Sequence, residues 1–129
     1  MDMAVTTLIV DDHAGFRAAA RLLLESEGFA VVGEAADGGS AVAAGLTLRP
    51  DLVVLDVQLP DMTGFDVSRL LAGAGFTGRV VLVSSRAASE YGELVGDSGA
   101  LGFIAKDELS GPSLARLLER GDRHARTPD

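Results

Sequence analysis

Residues 51–56 read DLVVLD, a run of four apolar residues between two aspartates. The run is continuously apolar rather than alternating, and residues 80–83, VVLV, repeat the pattern. A strand of this kind is buried on both faces, as in a parallel sheet that helices cover on either side. The stretch therefore predicts a central strand of an α/β fold.

Outward from this stretch, short strand-like segments alternate with longer helix-like segments along the chain. We predict strands over residues 6–10, 31–35, 52–55, 80–83 and 103–105, and helices over residues 14–27, 39–48, 64–73, 87–97 and 112–120. Apolar residues recur at helical spacing in the first helix, and Pro112 marks the start of the last one. Five strand–helix repeats with right-handed crossovers predict an α/β three-layer sandwich.

Length and composition indicate one globular domain. The chain has 129 residues, of which 47% are hydrophobic and 23% charged. We assign residues 1–129 to a single domain and expect residues 121–129, which are polar and charged, to form a frayed tail. The longest stretch without a charge, residues 38–48, is too short to span a membrane, and the N-terminus lacks the basic region of a signal peptide.

Charge and cysteine content exclude several kinds of site. The net charge of −8 argues against nucleic-acid binding, because phosphate contacts need a basic surface. The chain has no cysteine, which excludes disulfides and thiolate metal sites and fits a reducing compartment. Lys106 is the single lysine among eleven basic residues, so it stands out as a candidate functional residue.

Polar residues follow or end four of the five predicted strands. Asp11 and Asp12 follow the first strand, Asp56 the third and Lys106 the fifth, while Ser84 ends the fourth. The carboxyl ends of parallel strands share one edge of the sheet, where ligands bind, so these side chains should converge. Three converging carboxylates repel one another, and a hard divalent cation such as Mg²⁺, which prefers oxygen ligands, would relieve that repulsion.

Each of these residues also has a purely structural interpretation. Asp12 could be a helix N-cap, Asp56 could cap a turn, Ser84 could close a strand and Lys106 could be a solvated charge. Short motifs carry a high rate of false matches, so no single residue decides the matter. The convergence of all of them at one edge favours a functional site.

Four segments together resemble the receiver domain of bacterial two-component response regulators. They are LIVDDH at residues 8–13, DLVVLDVQLPDMTG at 51–64, VLVSS at 81–85 and GFIAKD at 102–107. The resemblance covers about residues 5–120. It implies a flavodoxin-like, doubly wound (βα)5 fold with strand order 2-1-3-4-5.

The resemblance also implies a phosphoacceptor site that uses Mg²⁺. By likeness to the family, Asp56 accepts a phosphoryl group from a sensor histidine kinase or a phosphotransfer protein. Asp11 and Asp12 hold Mg²⁺ together with Asp56, and the backbone carbonyl of Gln58 is a further metal ligand. His13, next to the acidic pair, is expected to be a loop or cap neighbour rather than a ligand.

Further residues match the family's switch and tuning positions. Ser84 matches the hydroxyl residue that turns toward the phosphoryl group, and Lys106 matches the lysine that pairs with the phosphoryl oxygens. Phe103 occupies the position of an aromatic switch residue, for which core packing is the alternative. Gln58 and Arg86 should flank the phosphoryl group and tune its lifetime, although Arg86 could equally belong to a solvated face.

Two other functions deserve comparison. A haloacid-dehalogenase-type phosphatase would need a second aspartate two residues after the first, and this chain has Gln58 there. A flavodoxin-like cofactor binder would need a Gly-rich or Ser/Thr-rich phosphate loop after the first strand, and the chain has Asp11 and Asp12 there. The interpretation that we favour is a signalling domain rather than an enzyme, one that catalyses only its own phosphorylation and dephosphorylation.

The expected output surface adjoins Ser84 and Lys106. It is the face of the fourth helix, fifth strand and fifth helix, about residues 87–97 and 102–120, where an output partner or a second copy would bind. The resemblance implies a cytoplasmic protein that contacts no membrane. The final residues ARTPD begin no new hydrophobic pattern, which favours a stand-alone receiver. The alternative is the excised N-terminal receiver of a helix-turn-helix transcription regulator. The sequence resembles that subfamily at His13, after the acidic pair, and at Asp107, after Lys106.

Overall fold

The computed structural model describes residues 4–87 and 90–126, without the side chains of residues 121–126. Five parallel strands form one sheet in the order β2-β1-β3-β4-β5: β1 (Thr6–Val10), β2 (Ala30–Ala35), β3 (Leu52–Asp56), β4 (Arg79–Ser84) and β5 (Gly102–Ala105). The helices are α1 (Ala14–Ser26), α2 (Gly38–Leu48), α3 (Gly64–Gly73), α4 (Leu94–Asp97) and α5 (Gly111–Arg126). The predicted flavodoxin-like α/β sandwich and its strand order are confirmed.

The central strand β3 is buried along its whole length and separates two apolar cores. Val53 and Leu55 face one core, which includes Leu71 of α3, while Leu52 and Val54 face the other, with α1 and α5. The four apolar side chains of β3 are fully buried, and each contributes roughly 1.5–3 kcal/mol by leaving water. This burial on both faces fixes the position of Asp56 at the end of the strand.

The fourth helix is much shorter than predicted. The prediction placed it over residues 87–97, whereas within the described residues α4 covers only Leu94–Asp97. Gly92 has a φ of 58°, a left-handed conformation that ends helical continuity, and the surrounding Gly and Ser residues have low helix propensity. Residues 91–93, directly before α4, therefore form turns, and these turns bring Tyr91 to the end of the sheet.

The last helix is longer than predicted. Its expected end was residue 120, but α5 continues to Arg126 through the first six residues assigned to the tail. Arg and Ala have high helix propensity, whereas the apolar periodicity that predicted α5 ends before residue 121. No helix in the described part of the chain is long and apolar enough to cross a membrane.

Candidate functional site

Strand ends position the predicted site residues along one edge of the sheet. Asp56 is the last residue of β3, which ends one residue later than predicted, and it pairs in register with Val83 of β4. Ser84 ends β4 as predicted and lies opposite Ala105, the residue before Lys106. Asp11 follows β1, which is the other neighbour of β3. The predicted convergence is therefore a feature of the fold.

Lys106 bridges the two buried carboxylates of the site. Its Nζ lies 2.5 Å from Oδ2 of Asp11 and 3.4 Å from Oδ2 of Asp56. Asp11 is fully buried and Asp56 is 4% exposed, so both negative charges are largely withdrawn from water. The ammonium also lies 4.6 Å from the centroid of the Phe16 ring, a favourable cation–π distance. One cation thus serves two buried anions.

The acidic residues gather closely enough to share an ion. One ligand atom from each of Asp11, Asp12, His13 and Asp56 lies within 4.8 Å of the other three. The Nδ1 atom of His13 is 3.1 Å from Asp11 Oδ1 and 3.0 Å from Asp12 Oδ1. Asp12 and His13 are exposed, which leaves the cluster open to solvent on that side. His13, rather than Asp12, is the N-cap residue of α1.

The electrostatics of the cluster disfavour a negative charge on Asp56. Burial raises the pKa of Asp56, the charge of Asp11 raises it further, and Lys106 and the amide of Gln58 only partly oppose this. Burial alone would lower the pKa of Lys106. The hydrogen bond to Asp11 and the charges of Asp56 and Asp11 outweigh that effect, so the pKa of Lys106 lies above its usual value. The lysine therefore stays protonated, but its single positive charge does not balance the negative charges of the carboxylates around it.

These residues fit a small divalent cation. Three carboxylates face one ammonium group, so the cluster keeps a net negative charge that a cation would neutralise. All three carboxylates offer hard oxygen ligands, which Mg²⁺ prefers over nitrogen or sulfur. Asp12 is the exposed member, and it would complete the ligand set from the solvent side.

The loop after β3 is held in place by several hydrogen bonds. Asp56 Oδ1 accepts the backbone N–H of Gln58 at 3.3 Å, and the amide of Gly64 donates to the carbonyl of Val57 at 2.7 Å. A Cβ on Gly64 would lie 2.4 Å from the carbonyl oxygen of Asp56, so only glycine fits there. Further along the loop, the Asp61 carboxylate accepts N–H groups at the start of α2. The side chain of Gln58 is exposed beside Asp56.

The described hydrogen bonds of the Ser84 hydroxyl do not include one to Asp56. Its Oγ lies 2.8 Å from Oη of Tyr91 and accepts the backbone N–H of Arg86 at 3.0 Å. Phe103 is half-buried on β5, with its ring 5.8 Å from that of Tyr91. The Arg86 side chain is exposed and pairs with a glutamate of its own turn, Glu90, at 3.5 Å, so among its described contacts it does not reach the acidic cluster.

Three residues at the site were not singled out as ligands or contacts by the sequence analysis. His13 touches both aspartates, Phe16 lies against the lysine, and Tyr91 binds the serine hydroxyl. His13 could have been found from its position next to the acidic pair after the first strand, and Phe16 belongs to the apolar face of α1. The spacing of Tyr91 in the sequence does not indicate a place at the site, because a turn rather than a helix brings it there.

Comparisons with known proteins identify the family of the chain. The family described as "Response regulator receiver domain" matches residues 7–118. The DNA-binding transcriptional activator EvgA of Escherichia coli K12 is 36% identical over 104 residues, which are 81% of this chain and 51% of EvgA. Protein-glutamate methylesterase/protein-glutamine glutaminase 6 of Anaeromyxobacter dehalogenans is 45% identical over 117 residues, 88% of this chain and 33% of the relative.

A solved structure shows the same fold. The signal receiver domain of the putative response regulator NarL from Mycobacterium tuberculosis superimposes with a TM-score of 0.80 at 30% identity, covering 90% of this chain and 98% of that one. The chain spans about half the length of EvgA and a third of the methylesterase. The chain belongs to the family of response regulator receiver domains.

Proposed function

We propose that this receiver takes a phosphoryl group onto Asp56 from a phosphohistidine of a sensor histidine kinase or phosphotransfer protein. The observation that carries the proposal is the bridge from Lys106 to Asp56 and Asp11 at the end of the sheet. It joins a buried carboxylate to a fixed cation, beside a cluster open to solvent. Phosphoryl transfer is largely a matter of positioning and charge neutralisation, and this arrangement supplies both.

The side chains divide the task between them. Asp56 supplies the attacking carboxylate oxygen, and its strand-end position and the hydrogen bond from Gln58 hold that carboxylate in one orientation. Lys106 offers an ammonium to a phosphoryl oxygen, since its raised pKa keeps it charged. When bound by Asp11, Asp12, Asp56 and the Gln58 carbonyl, Mg²⁺ would reduce the repulsion between the carboxylates and the incoming phosphoryl group.

Phosphorylation then changes the local charge and hydrogen bonding. An acyl phosphate adds negative charge and strong acceptor oxygens, to which the Ser84 hydroxyl can donate once it turns. We propose that this change reaches the surface formed by α4, β5 and α5, and that an output partner or a second copy of the chain binds there. The short α4 and the turns before it require little energy to reorder.

A direct experiment tests the phosphoacceptor. The purified protein is incubated with acetyl phosphate and Mg²⁺, and intact mass is measured for wild type, Asp56→Asn and Asp61→Asn. We expect wild type and Asp61→Asn, a nearby exposed aspartate, to gain one phosphoryl group, and Asp56→Asn to gain none. Equal labelling of Asp56→Asn and wild type would refute the assignment.

The metal is tested separately by thermal unfolding. A cation that binds only the folded state raises the melting temperature by mass action. We expect millimolar Mg²⁺ to raise it in wild type and to do so less in Asp12→Ala, which lacks the exposed ligand. An identical shift in both proteins, or none in either, would mean that the cation binds elsewhere or not at all.

Two arrangements of the output are consistent with this chemistry. The domain could act on a separate partner, or it could control a DNA-binding domain in the same protein. The second is supported by the likeness to EvgA, which is named as a DNA-binding transcriptional activator. The relative from Anaeromyxobacter dehalogenans is named as an enzyme, and we propose a non-enzymatic role for this domain alone. The length of the native open reading frame decides between the arrangements.

A further inference from the structure

Tyr91 is hydrogen-bonded to Ser84, the side chain that must turn toward the phosphoryl group in the proposed function. Its Oη lies 2.8 Å from Oγ of Ser84, and the described hydrogen bonds include none from Ser84 to Asp56. The residue that should donate to a phosphoryl oxygen is therefore already committed to another partner. Tyr91 is the sole tyrosine of the chain and lies in the turns before α4, not on β5, where the resemblance places the aromatic switch residue.

The hydroxyl of Ser84 has little spare capacity. A serine hydroxyl offers one proton and two lone pairs. The amide of Arg86 takes one lone pair at 3.0 Å, and Tyr91 takes either the proton or the second lone pair. Turning the hydroxyl toward Asp56 moves Oγ away from Tyr91 and breaks this bond, whichever of the two groups donates.

Ring contacts extend this bond into the fold. The Tyr91 ring meets Phe65 of α3 edge-on, at 5.4 Å between centroids, and meets Phe103 of β5 at 5.8 Å with an angle of 50°. Within the described residues, the contact with Ser84 is the only hydrogen bond of the Tyr91 side chain. Loss of that bond leaves the Tyr91 side chain held by its ring contacts, and its packing partner Phe103 lines a surface cleft of about 480 Å³.

We propose that Tyr91 is a positioning residue for Ser84. Its hydroxyl holds Ser84 in the unphosphorylated arrangement, and phosphorylation of Asp56 breaks the bond and releases Tyr91 together with Phe103. This inference rests on the proposed function of Asp56. The residue that binds the Ser84 hydroxyl is thus Tyr91, in the turns before α4, and Phe103 of β5 is the ring against which Tyr91 packs.

Binding of a phosphoryl mimic tests the proposal. Beryllofluoride is titrated calorimetrically, in the presence of Mg²⁺, into wild type, Tyr91→Phe and Ser98→Ala. Tyr91→Phe keeps the ring and removes only the hydroxyl, so the unphosphorylated arrangement loses one hydrogen bond. A bond of ordinary net strength corresponds to about a fivefold change in an equilibrium constant. We therefore expect Tyr91→Phe to bind beryllofluoride about five times more tightly than wild type.

Ser98→Ala is the matched control. It also removes a hydroxyl near α4, one that donates to the carbonyl of Val95 at 2.7 Å, but its described contacts do not include Ser84. We expect it to bind with the affinity of wild type. Unchanged or weaker binding by Tyr91→Phe would overturn the proposal, and so would an equal gain in both variants, since that would reflect general loosening. Wild type that fails to bind would instead overturn the proposed function itself.

Intrinsic fluorescence gives a second readout without any substitution. The chain has one tyrosine and no tryptophan, so its emission reports on Tyr91 alone. We expect beryllofluoride with Mg²⁺ to change this emission in wild type. In Ser84→Ala the emission of the free protein should already differ from that of wild type, because the bond is absent. An emission unchanged by beryllofluoride in wild type that binds it would contradict release of Tyr91.

Discussion

Removal of the Lys106 charge should destabilise the metal-free protein and leave it dependent on Mg²⁺. Lys106→Met keeps the apolar stem and deletes the ammonium that lies 2.5 Å from Asp11 and 3.4 Å from Asp56. At an effective dielectric constant of 20, the longer pair alone attracts with about 5 kcal/mol, most of which offsets the desolvation of the charges. Breaking a buried pair from one side costs about 3–5 kcal/mol.

The loss of unfolding free energy should be somewhat smaller than that for a fully buried pair, because the Lys106 side chain is 19% exposed and partly screened by solvent. We expect Lys106→Met to lose about 2–4 kcal/mol of unfolding free energy in EDTA. Urea unfolding followed by circular dichroism measures this difference. In Mg²⁺ the gap to wild type should narrow, because the bound cation stabilises the same two carboxylates.

Arg69→Met is the control for loss of a positive charge. Arg69 pairs with Asp66 at 2.9 Å on the exposed side of α3, so its removal should cost less than about 1 kcal/mol and should not respond to Mg²⁺. Equal stability of Lys106→Met and wild type in EDTA would refute a stabilising role for the Lys106 bridge. So would a gap in stability between the two proteins that Mg²⁺ leaves unchanged.

Three further outcomes follow from other parts of the structure. Gly64→Ala places a Cβ 2.4 Å from the Asp56 carbonyl oxygen, so it should lower the free energy of unfolding in urea by about 1–3 kcal/mol. It should also slow labelling by acetyl phosphate, and unchanged labelling would contradict this expectation. Backbone hydrogen bonds from the start of α2 lower the pKa of Asp61 below its usual value of 3.8. The charged Asp61 carboxylate therefore stabilises the fold above pH 3.8, and that stabilisation is lost as the pH falls through the lowered pKa. Asp61→Asn should therefore lower the melting temperature at pH 7 but not at the lowest pH; a gap independent of pH would refute it. Beryllofluoride should change amide hydrogen exchange most in residues 84–97 and around Phe103; changes confined to α1 and α2 would place the output elsewhere.

The strand ends explain why much of the site could be predicted from sequence. An apolar run such as residues 52–55 fixes a buried strand, and a parallel sheet then brings the residues after each strand to one edge. Asp11, Asp56 and Lys106 are placed by this rule, and the structure brings them together. No knowledge of side-chain conformation was needed for that result.

The turns before α4 explain what could not be predicted. The Gly- and Ser-rich composition of residues 87–97 indicates a marginal helix, but it does not locate the left-handed Gly92 or the short α4 that follows it. The bond between Ser84 and Tyr91 depends on that turn, so it lay outside what pattern and spacing encode. The direction of the Ser84 hydroxyl is likewise a result of side-chain packing, which is set by tertiary contacts.

We propose that the phosphoryl group resides on Asp56 and not on another member of the acidic cluster. Wild type labelled with acetyl phosphate and Mg²⁺ can be reduced with borohydride, which converts an aspartyl phosphate to homoserine, and the modified peptide can be sequenced by mass spectrometry. We predict homoserine at position 56, with Asp11 and Asp12 unmodified. Modification at Asp11 or Asp12, or a phosphoryl group on His13 instead, would contradict the account.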